Sequence, residues 1–250
     1  QKLTITAKAY GINTASDSKE YDGTPLTNKN AEVAGLVAKD TAYVEGTGEI
    51  TDKGEVPNSA GDVNWASGTD ERNYIHDTSL DGIGVLTVTA KKIDPTPTPT
   101  PEDPDAVEHK LTLQGLENVT YNGSSQPQHE KIVVKDGDKK LVEGKDYELR
   151  WSSDTTNVGT VRVTVVGKGN YDGEDWAEYQ IMHFPVTVTA NGAGKTYGTA
   201  DPALTATVSQ KPSDGFDIAY NVTRAPGEDV DDYVITPSGD EIQGLSLIHI

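Results

Sequence analysis

Short runs in which apolar residues alternate with polar ones constrain the fold of this 250-residue chain more than any other feature. The clearest run is Val161-Arg162-Val163-Thr164-Val165, whose three valines fall on one face of an extended strand. Asp-Gly, Asn-Gly and Gly-Asn pairs separate such runs and favour tight turns. No useful stretch has the 3.6-residue apolar period of an amphipathic helix. The sequence therefore predicts an all-β fold of short strands.

The same set of motifs occurs three times along the chain. An alternating run precedes each of three tyrosine motifs, Tyr21-Asp22-Gly23, Tyr121-Asn122-Gly123 and Tyr197-Gly198. In the first two cases a second motif, Asn-Tyr, follows at Asn73-Tyr74 and Asn170-Tyr171. The first copy opens with the run at residues 3–7 and closes with the run at residues 84–90. We predict three homologous modules, in which the recurring tyrosine caps the core and its hydroxyl bonds a nearby backbone group.

Composition shifts give the expected boundaries of the modules. We predict modules at residues 1–93, 106–182 and 183–243, with a Pro/Thr-rich linker at residues 94–105. Alternating proline favours a polyproline-II conformation, in which the linker would extend roughly 37 Å as a semi-rigid spacer. The expected architecture is a jointed rod of Ig-like β-sandwich modules.

The last residues differ in composition from the rest of the chain. Residues 245–250 form an apolar run that resembles the translation of a transposon-end sequencing adapter. We therefore expect residues 244–250 to be adapter read-through, with native sequence ending near Ile242 or Gln243. On this interpretation the third module is truncated and has an open sheet edge.

The ordered motifs resemble the MBG and YDG repeat families of bacterial surface proteins. The resemblance covers nearly the whole chain up to about residue 239, and its motifs include Lys19–Thr27, Gly84–Thr89, Gly144–Tyr147, Asn157–Thr160, Gly167–Gly173, Asp201–Leu204, Arg224–Val230 and Tyr233–Pro237. The first module departs from the pattern before Asn73, where Asp70-Glu71-Arg72 replaces a glycine-rich approach. The resemblance implies extracellular tandem repeats of large Gram-positive adhesins or stalks, without known catalytic residues.

Charge and composition exclude several classes of function. The chain has 21 Lys and Arg residues against 40 Asp and Glu residues, a net charge of −19. This balance argues against binding to nucleic acid or anionic lipid. The absence of cysteine excludes a disulfide framework and a thiol nucleophile. No apolar run approaches the ~20 residues of a membrane-spanning helix. We expect a monomer whose main partners are neighbouring repeats of the same chain.

Few residues are candidates for a binding site. Exposed tryptophan rings stack on sugars, so the weak glycan-binding candidates are Trp65, Trp151 and Trp176, although core packing is the more common role. The acidic group Asp172, Glu174 and Asp175 is a weak candidate for calcium, although solvated loops fit it better. No other cofactor is expected.

Two further motifs are candidates for chemistry. The segment 192–196 reads like a phosphate-binding loop, but Thr189 stands where that loop needs its first glycine. Lys110 and Asn170 are candidates for an intramolecular Lys–Asn cross-link of the kind found in Gram-positive surface domains, without a diagnostic motif. No pair of carboxylates is singled out for catalysis, and we predict that the chain is not an enzyme.

The sequence thus predicts a non-catalytic extracellular repeat region attached to the cell surface or cell wall, which acts as a stalk that presents another domain. One alternative is an adhesive or carbohydrate-binding module that contacts cell-wall or host glycans. A second alternative is an accessory region of a large secreted hydrolase.

Overall fold

The structure, a computed structural model, describes the backbone of residues 1–249 and the side chains of residues 1–246. Ile250, the last residue of the adapter-like segment, lies outside the described residues. Apart from three short 3₁₀ helices, the regular structure of the described chain consists of β-strands, which confirms the all-β prediction. The 3₁₀ helices are Glu71–Asn73, Thr78–Leu80 and His129–Lys131.

The chain forms two compact units. The first contains Gln1–Lys110, Val142–Glu148 and Val166–Glu174, and the second contains Leu111–Leu141, Leu149–Val165 and the described residues from Asp175 onwards. This division follows packing, whereas the three predicted modules follow sequence motifs. The three-module organisation, the sandwich arrangement and the rod therefore stay predictions.

Thirteen strands lie in Gln1–Lys110. They are β1 (Lys8–Thr14), β2 (Asp17–Glu20), β3 (Leu26–Thr27), β4 (Ala31–Ala34), β5 (Ala42–Tyr43), β6 (Glu49–Ile50), β7 (Gly54–Pro57), β8 (Asn64–Trp65), β9 (Tyr74–His76), β10 (Val85–Thr89), β11 (Lys91–Lys92), β12 (Thr96–Pro97) and β13 (Val107–Glu108). Two three-stranded sheets, ordered β4-β1-β9 and β2-β10-β7, form the main layers of the first unit. The pairs β3-β6, β5-β8 and β12-β13 complete it, and β11 pairs with β20 (Tyr171–Asp172).

The opening run of the first predicted module is not a strand. The first strand begins only at Lys8, and residues 1–8 are all exposed. The closing run, by contrast, forms β10 at the centre of its sheet, and its Leu86 and Val88 side chains are buried. Alternation alone is therefore not sufficient for a strand, because a strand needs neighbours that satisfy its backbone groups.

The Pro/Thr-rich linker forms a hairpin rather than an extended spacer. Thr96 and Pro97 pair antiparallel with residues 108 and 107, and the Thr98 N–H donates to the Ala106 carbonyl at 2.8 Å. In an extended chain alternate residues point their N–H groups to the same edge. The threonine N–H groups therefore face the partner strand, while the prolines lie along the edge where no donor is needed. The prediction of a 37 Å spacer is wrong for this segment.

A buried asparagine, Asn58, joins three loops of the first unit. Its side-chain amide donates to the carbonyls of Ala15 at 2.9 Å and Asn28 at 2.8 Å, and its oxygen accepts from the Gly48 N–H at 3.0 Å. The loops approach so closely that a Cβ at Gly46 would lie 2.3 Å from the Asn28 carbonyl oxygen. Because all these polar groups are paired, burial of Asn58 fixes one loop arrangement.

The remaining strands follow in chain order. They are β14 (Thr112–Gln114), β15 (Val119–Thr120), β16 (Val133–Asp136), β17 (Lys139–Lys140), β18 (Tyr147–Trp151), β19 (Gly159–Gly167), β21 (Glu174–Met182), β22 (Phe184–Ala190), β23 (Ala206–Val208), β24 (Asn221–Arg224), β25 (Ile235–Ser238) and β26 (Leu245–His249). The sheets are ordered β14-β16-β17, β15-β21-β19-β18 and β23-β22-β26, with β24-β25 as a separate pair. The division between the two units falls inside β18, β19 and β21.

The core of the second unit follows the predicted alternation. Val161, Val163 and Val165 of β19 are at most 1% exposed, as the alternating run predicted. Val186 and Val188 of β22 belong to the same cluster as the first two of these valines. The backbone of β26 pairs in parallel with β22, so the adapter-like residues 245–249 form an ordered strand in this structure.

The recurring tyrosine is buried in two of its three occurrences. Tyr21 and Tyr121 are 8% and 9% exposed, and the Tyr121 ring packs edge-on against Phe216. Tyr197 is 71% exposed, so the prediction that it caps a core is wrong. The hydroxyl of Tyr179, in the same core as Tyr121, donates to the Gln126 backbone carbonyl at 2.5 Å.

The contrast between the two tyrosines gives a test within one unit. The Tyr121→Ala substitution should lower the free energy of unfolding of the second unit by about 3 kcal/mol, because it leaves a cavity in the core. The matched control Tyr197→Ala should change it by less than about 0.5 kcal/mol, since its ring is exposed. Amide exchange at Val163 during denaturant titration measures both. Equal effects of the two substitutions would contradict this assignment of the core.

Candidate functional site

The second unit has an open cavity of about 430 Å³. Its walls are the loop 193–204, which leads from β22 to β23, and the segment 224–235, which joins β24 to β25. Both segments belong to the motifs that carried the sequence resemblance. The cavity therefore lies where the repeat motifs place charged and aromatic residues together.

Two cations and two anions form a closed network on the cavity wall. The Lys195 ammonium lies 2.7 Å from an Asp201 carboxylate oxygen and 2.5 Å from a Glu228 carboxylate oxygen. The Arg224 guanidinium lies 2.7 Å from Asp201 and also contacts Glu228. Each cation thus bridges both anions, and the four formal charges cancel.

Arg224 is the centre of this network. Its guanidinium bonds both Asp201 oxygens and donates to the carbonyls of Ala225 at 2.9 Å and Gly227 at 2.7 Å. It also lies 5.3 Å from the centroid of the Tyr233 ring. The side chain is only 17% exposed. A planar guanidinium with several fixed acceptors is well suited to hold a loop in one conformation.

The pKa values of the network follow from these contacts. Hydrogen bonds from Arg224 and then Lys195 lower the pKa of Asp201 from 3.8 to about 2. Hydrogen bonds from Lys195 and Arg224 lower the pKa of Glu228, and those to Asp201 and Glu228 raise the pKa of Lys195. All four groups are therefore charged at neutral pH. None has the near-neutral pKa of a general acid or base.

This arrangement contradicts a phosphate-loop interpretation of residues 192–196. Lys195 is occupied by two carboxylates, and the backbone that follows Thr196 is a turn rather than a helix. The network joins two loops of the same repeat, so its evident effect is structural.

The three tryptophans occupy separate places. Trp65 stacks on Tyr74 with centroids 5.2 Å apart, and Tyr10 meets it edge-on. Trp151 donates its indole N–H to the Pro127 carbonyl at 2.8 Å, and the guanidinium of Arg162 lies 4.1 Å from the Trp176 ring.

Each tryptophan therefore has a ring face or its indole N–H engaged by the protein itself. The structure does not assemble the three residues into a common surface within either unit.

The calcium candidates are engaged individually. Asp172 forms an ion pair with Lys92, whereas Asp175 is fully buried and accepts from the backbone N–H groups of Leu111 and Trp176, each at 2.8 Å. The backbone N–H of Glu174 donates to Asp94 at 3.0 Å. Among the side chains that the structure describes, residues 1–246, no group of three His, Asp or Glu residues has the geometry to hold a metal ion.

The two cross-link candidates also have other contacts. The Lys110 side chain is 39% exposed, and its ammonium lies 3.7 Å from Glu108. The Asn170 side chain accepts from the Lys53 N–H at 2.7 Å and donates to Asp52 at 2.7 Å. A Lys–Asn bond requires both groups to face each other in an apolar interior, and these contacts give it no support.

Sequence reasoning missed the ion network, although its residues were visible in the motifs. The signal was the four-residue spacing of Arg224 and Glu228 around Pro226-Gly227, with Gly227 at φ +147 allowing the turn. Nothing local to Asp201 identifies Arg224 as its partner 23 residues away.

Residues 186–241 match the family described as MBG domain, YGX type. The matched segment contains the whole ion network. The match confirms the predicted resemblance to an MBG-type repeat module for this segment, and it indicates a repeat region of a surface protein. No curated protein and no solved structure matches the chain. In the described part of the chain, no helix combines the length and the apolar composition needed to cross a membrane.

The network predicts an acid-sensitive loop arrangement. Because the pKa of Asp201 is lowered in the folded chain, its contribution to stability is present above pH 4 and is lost as the pH falls from 3.8 towards 2. Carboxyl NMR should show Asp201 titrating near pH 2. Arg224→Gln should raise that midpoint more than Lys195→Gln does. A midpoint of 3.8 in the unaltered chain would contradict the network.

Proposed function

We propose that this chain is a non-catalytic extracellular repeat region that acts as a stalk and presents another domain at a bacterial surface. The observation that carries the proposal is the match of residues 186–241 to the MBG family, within which Lys195 and Arg224 are each paired with both Asp201 and Glu228 on the cavity wall. A structural module needs its loops fixed, whereas an active site needs groups left available for substrate.

The interior of the described chain supports the same role. Every fully buried side-chain nitrogen or oxygen in its described part has a hydrogen-bond partner. Buried Asn58 and Asp175 are both used to fix backbone segments. Polar groups spent in this way stabilise an arrangement and are not available for chemistry.

The charge of the chain also suits a stalk. A net charge of −19 keeps neighbouring copies apart on a crowded surface through mutual repulsion. The acidic residues near the cavity include exposed Asp229, Asp231 and Asp232, which extend this repulsive surface. Attachment to the cell wall, Gram-positive origin and an adhesin context belong to the proposal as its biological setting.

One observation favours carbohydrate binding as a second candidate function. The exposed Tyr197 ring lies at a cavity large enough for one or two sugar units, beside charged groups that can accept and donate hydrogen bonds. A glycan array probed with the unaltered chain and with Tyr197→Ala tests this candidate. Binding that Tyr197→Ala abolishes would support it, and absence of binding on the array would contradict it.

The stalk proposal predicts how the end-to-end length of the protein increases with the number of tandem copies. One to four tandem copies of the chain are anchored at one end, and the height of a dye at the other end is measured by fluorescence interference. Height should increase in proportion to copy number, about fourfold from one copy to four. Gly/Ser chains of equal length are the control, and their height should only double, because a flexible coil grows with the square root of its length. Square-root growth of the protein would contradict a stalk.

A further inference from the structure

Residues 2–8 repeat the sequence of residues 85–91. The first segment reads KLTITAK and the second reads VLTVTAK, with five of seven positions identical. The apolar positions coincide, so that Leu3 corresponds to Leu86 and Ile5 to Val88. One of the two differences is the conservative exchange of Val for Ile at a core position.

The second segment is the central strand of a sheet in the first unit. Within β10, Leu86 pairs with Asp17 of β2 on one side and with Val56 of β7 on the other. Leu86 and Val88 are 0% and 1% exposed. This strand therefore closes the sheet β2-β10-β7 and supplies its largest buried side chains.

The first segment has the same residues without these neighbours. Leu3 is 89% exposed and Ile5 is 86% exposed, and the chain enters its first strand only at Lys8. In the first unit β10 fills the place between β2 and β7. The sequence at residues 2–7 is thus built for a position that its own unit has already filled.

We propose that residues 2–7 are the closing strand of another repeat of this type. They insert between the β2-like and β7-like strands of that repeat, with Leu3, Ile5 and Ala7 facing its core and both threonines facing outward. The partner is therefore a pair of strands with the chemistry of Asp17–Glu20 and Gly54–Pro57. Since Lys8 begins β1, the closing strand of one repeat continues directly into the first strand of the next. This assignment goes beyond the stalk role and does not require it.

The first test transfers the sequence of residues 2–7 into the known position. The double substitution Val85→Lys and Val88→Ile converts residues 85–90 of the full chain into KLTITA. Because residue 85 is 40% exposed and residue 88 gains only one methylene group in the core, the first unit should keep its cooperative unfolding transition, with a modestly lowered denaturation midpoint.

Leu86→Asp is the disruptive control, and it should unfold that sheet. Leu3→Asp with Ile5→Asp in the same chain should change nothing. A double variant that unfolds as Leu86→Asp does would overturn the proposal.

The second test supplies the missing partner. A second copy of residues 8–84 is fused in front of residue 2 of the full chain, so that residues 2–7 follow it as residues 85–90 follow the original. Hydrogen exchange should show the added β2 and β7 segments protected. Leu3→Asp with Ile5→Asp should remove this protection from the added copy and leave the original copy protected. An added copy that exchanges as an unfolded chain would overturn the proposal.

Discussion

The burial of two side chains of a central strand, Leu86 and Val88 of β10, is the interaction on which the sheet β2-β10-β7 depends. The strands on either side of β10, β2 and β7, are four residues long and carry few large apolar side chains. Half of the 26 strands in the described chain are shorter still, and strands this short do not hold a sheet together by their own length. A repeat of this design is stable only once its last strand is in place. Its contacts join residues far apart in sequence, as between Leu86 and Asp17.

Where few apolar side chains are buried, hydrogen bonds and ion pairs hold the loops in place. In the first unit Asn58 joins loops through buried amide hydrogen bonds. In the matched MBG segment the motif tyrosine, Tyr197, is exposed, and Arg224 with its carboxylate partners joins the loops instead. Exposed ion pairs contribute little individually, but a guanidinium held by two carboxylates and two carbonyls has a fixed geometry. The tyrosine motif thus occurs both where its ring packs in a core, as at Tyr121, and where an ion network joins the loops, as near Tyr197.

The sequence was sufficient to predict the all-β class and the buried face of β19, because alternation with period two reports directly on a half-buried strand. The sequence predicted the burial of Tyr121 correctly but that of Tyr197 incorrectly, since burial of an aromatic ring depends on which residues pack over it. The ion network and Asn58 escaped prediction because the contacts that join their loops link residues distant in sequence, such as Arg224 with Asp201. The linker was misjudged for a related reason: proline fixes φ near −65° and excludes donors, but both polyproline II and an edge strand satisfy those conditions.

The two copies of the Leu-Thr-x-Thr-Ala sequence show that local sequence alone does not determine which segment becomes a buried strand. In one copy Leu86 and Val88 are buried at the centre of a sheet, and in the other Leu3 and Ile5 are exposed, although the side chains alternate identically. Propensity and pattern are therefore equal in the two places, and only the presence of two neighbouring strands differs. A strand in such a chain is defined jointly by its sequence and by the edges offered to it. Under the proposed assignment of residues 2–7, the junction between successive repeats is part of the fold of each repeat, because the strand that completes one core continues into the first strand of the next.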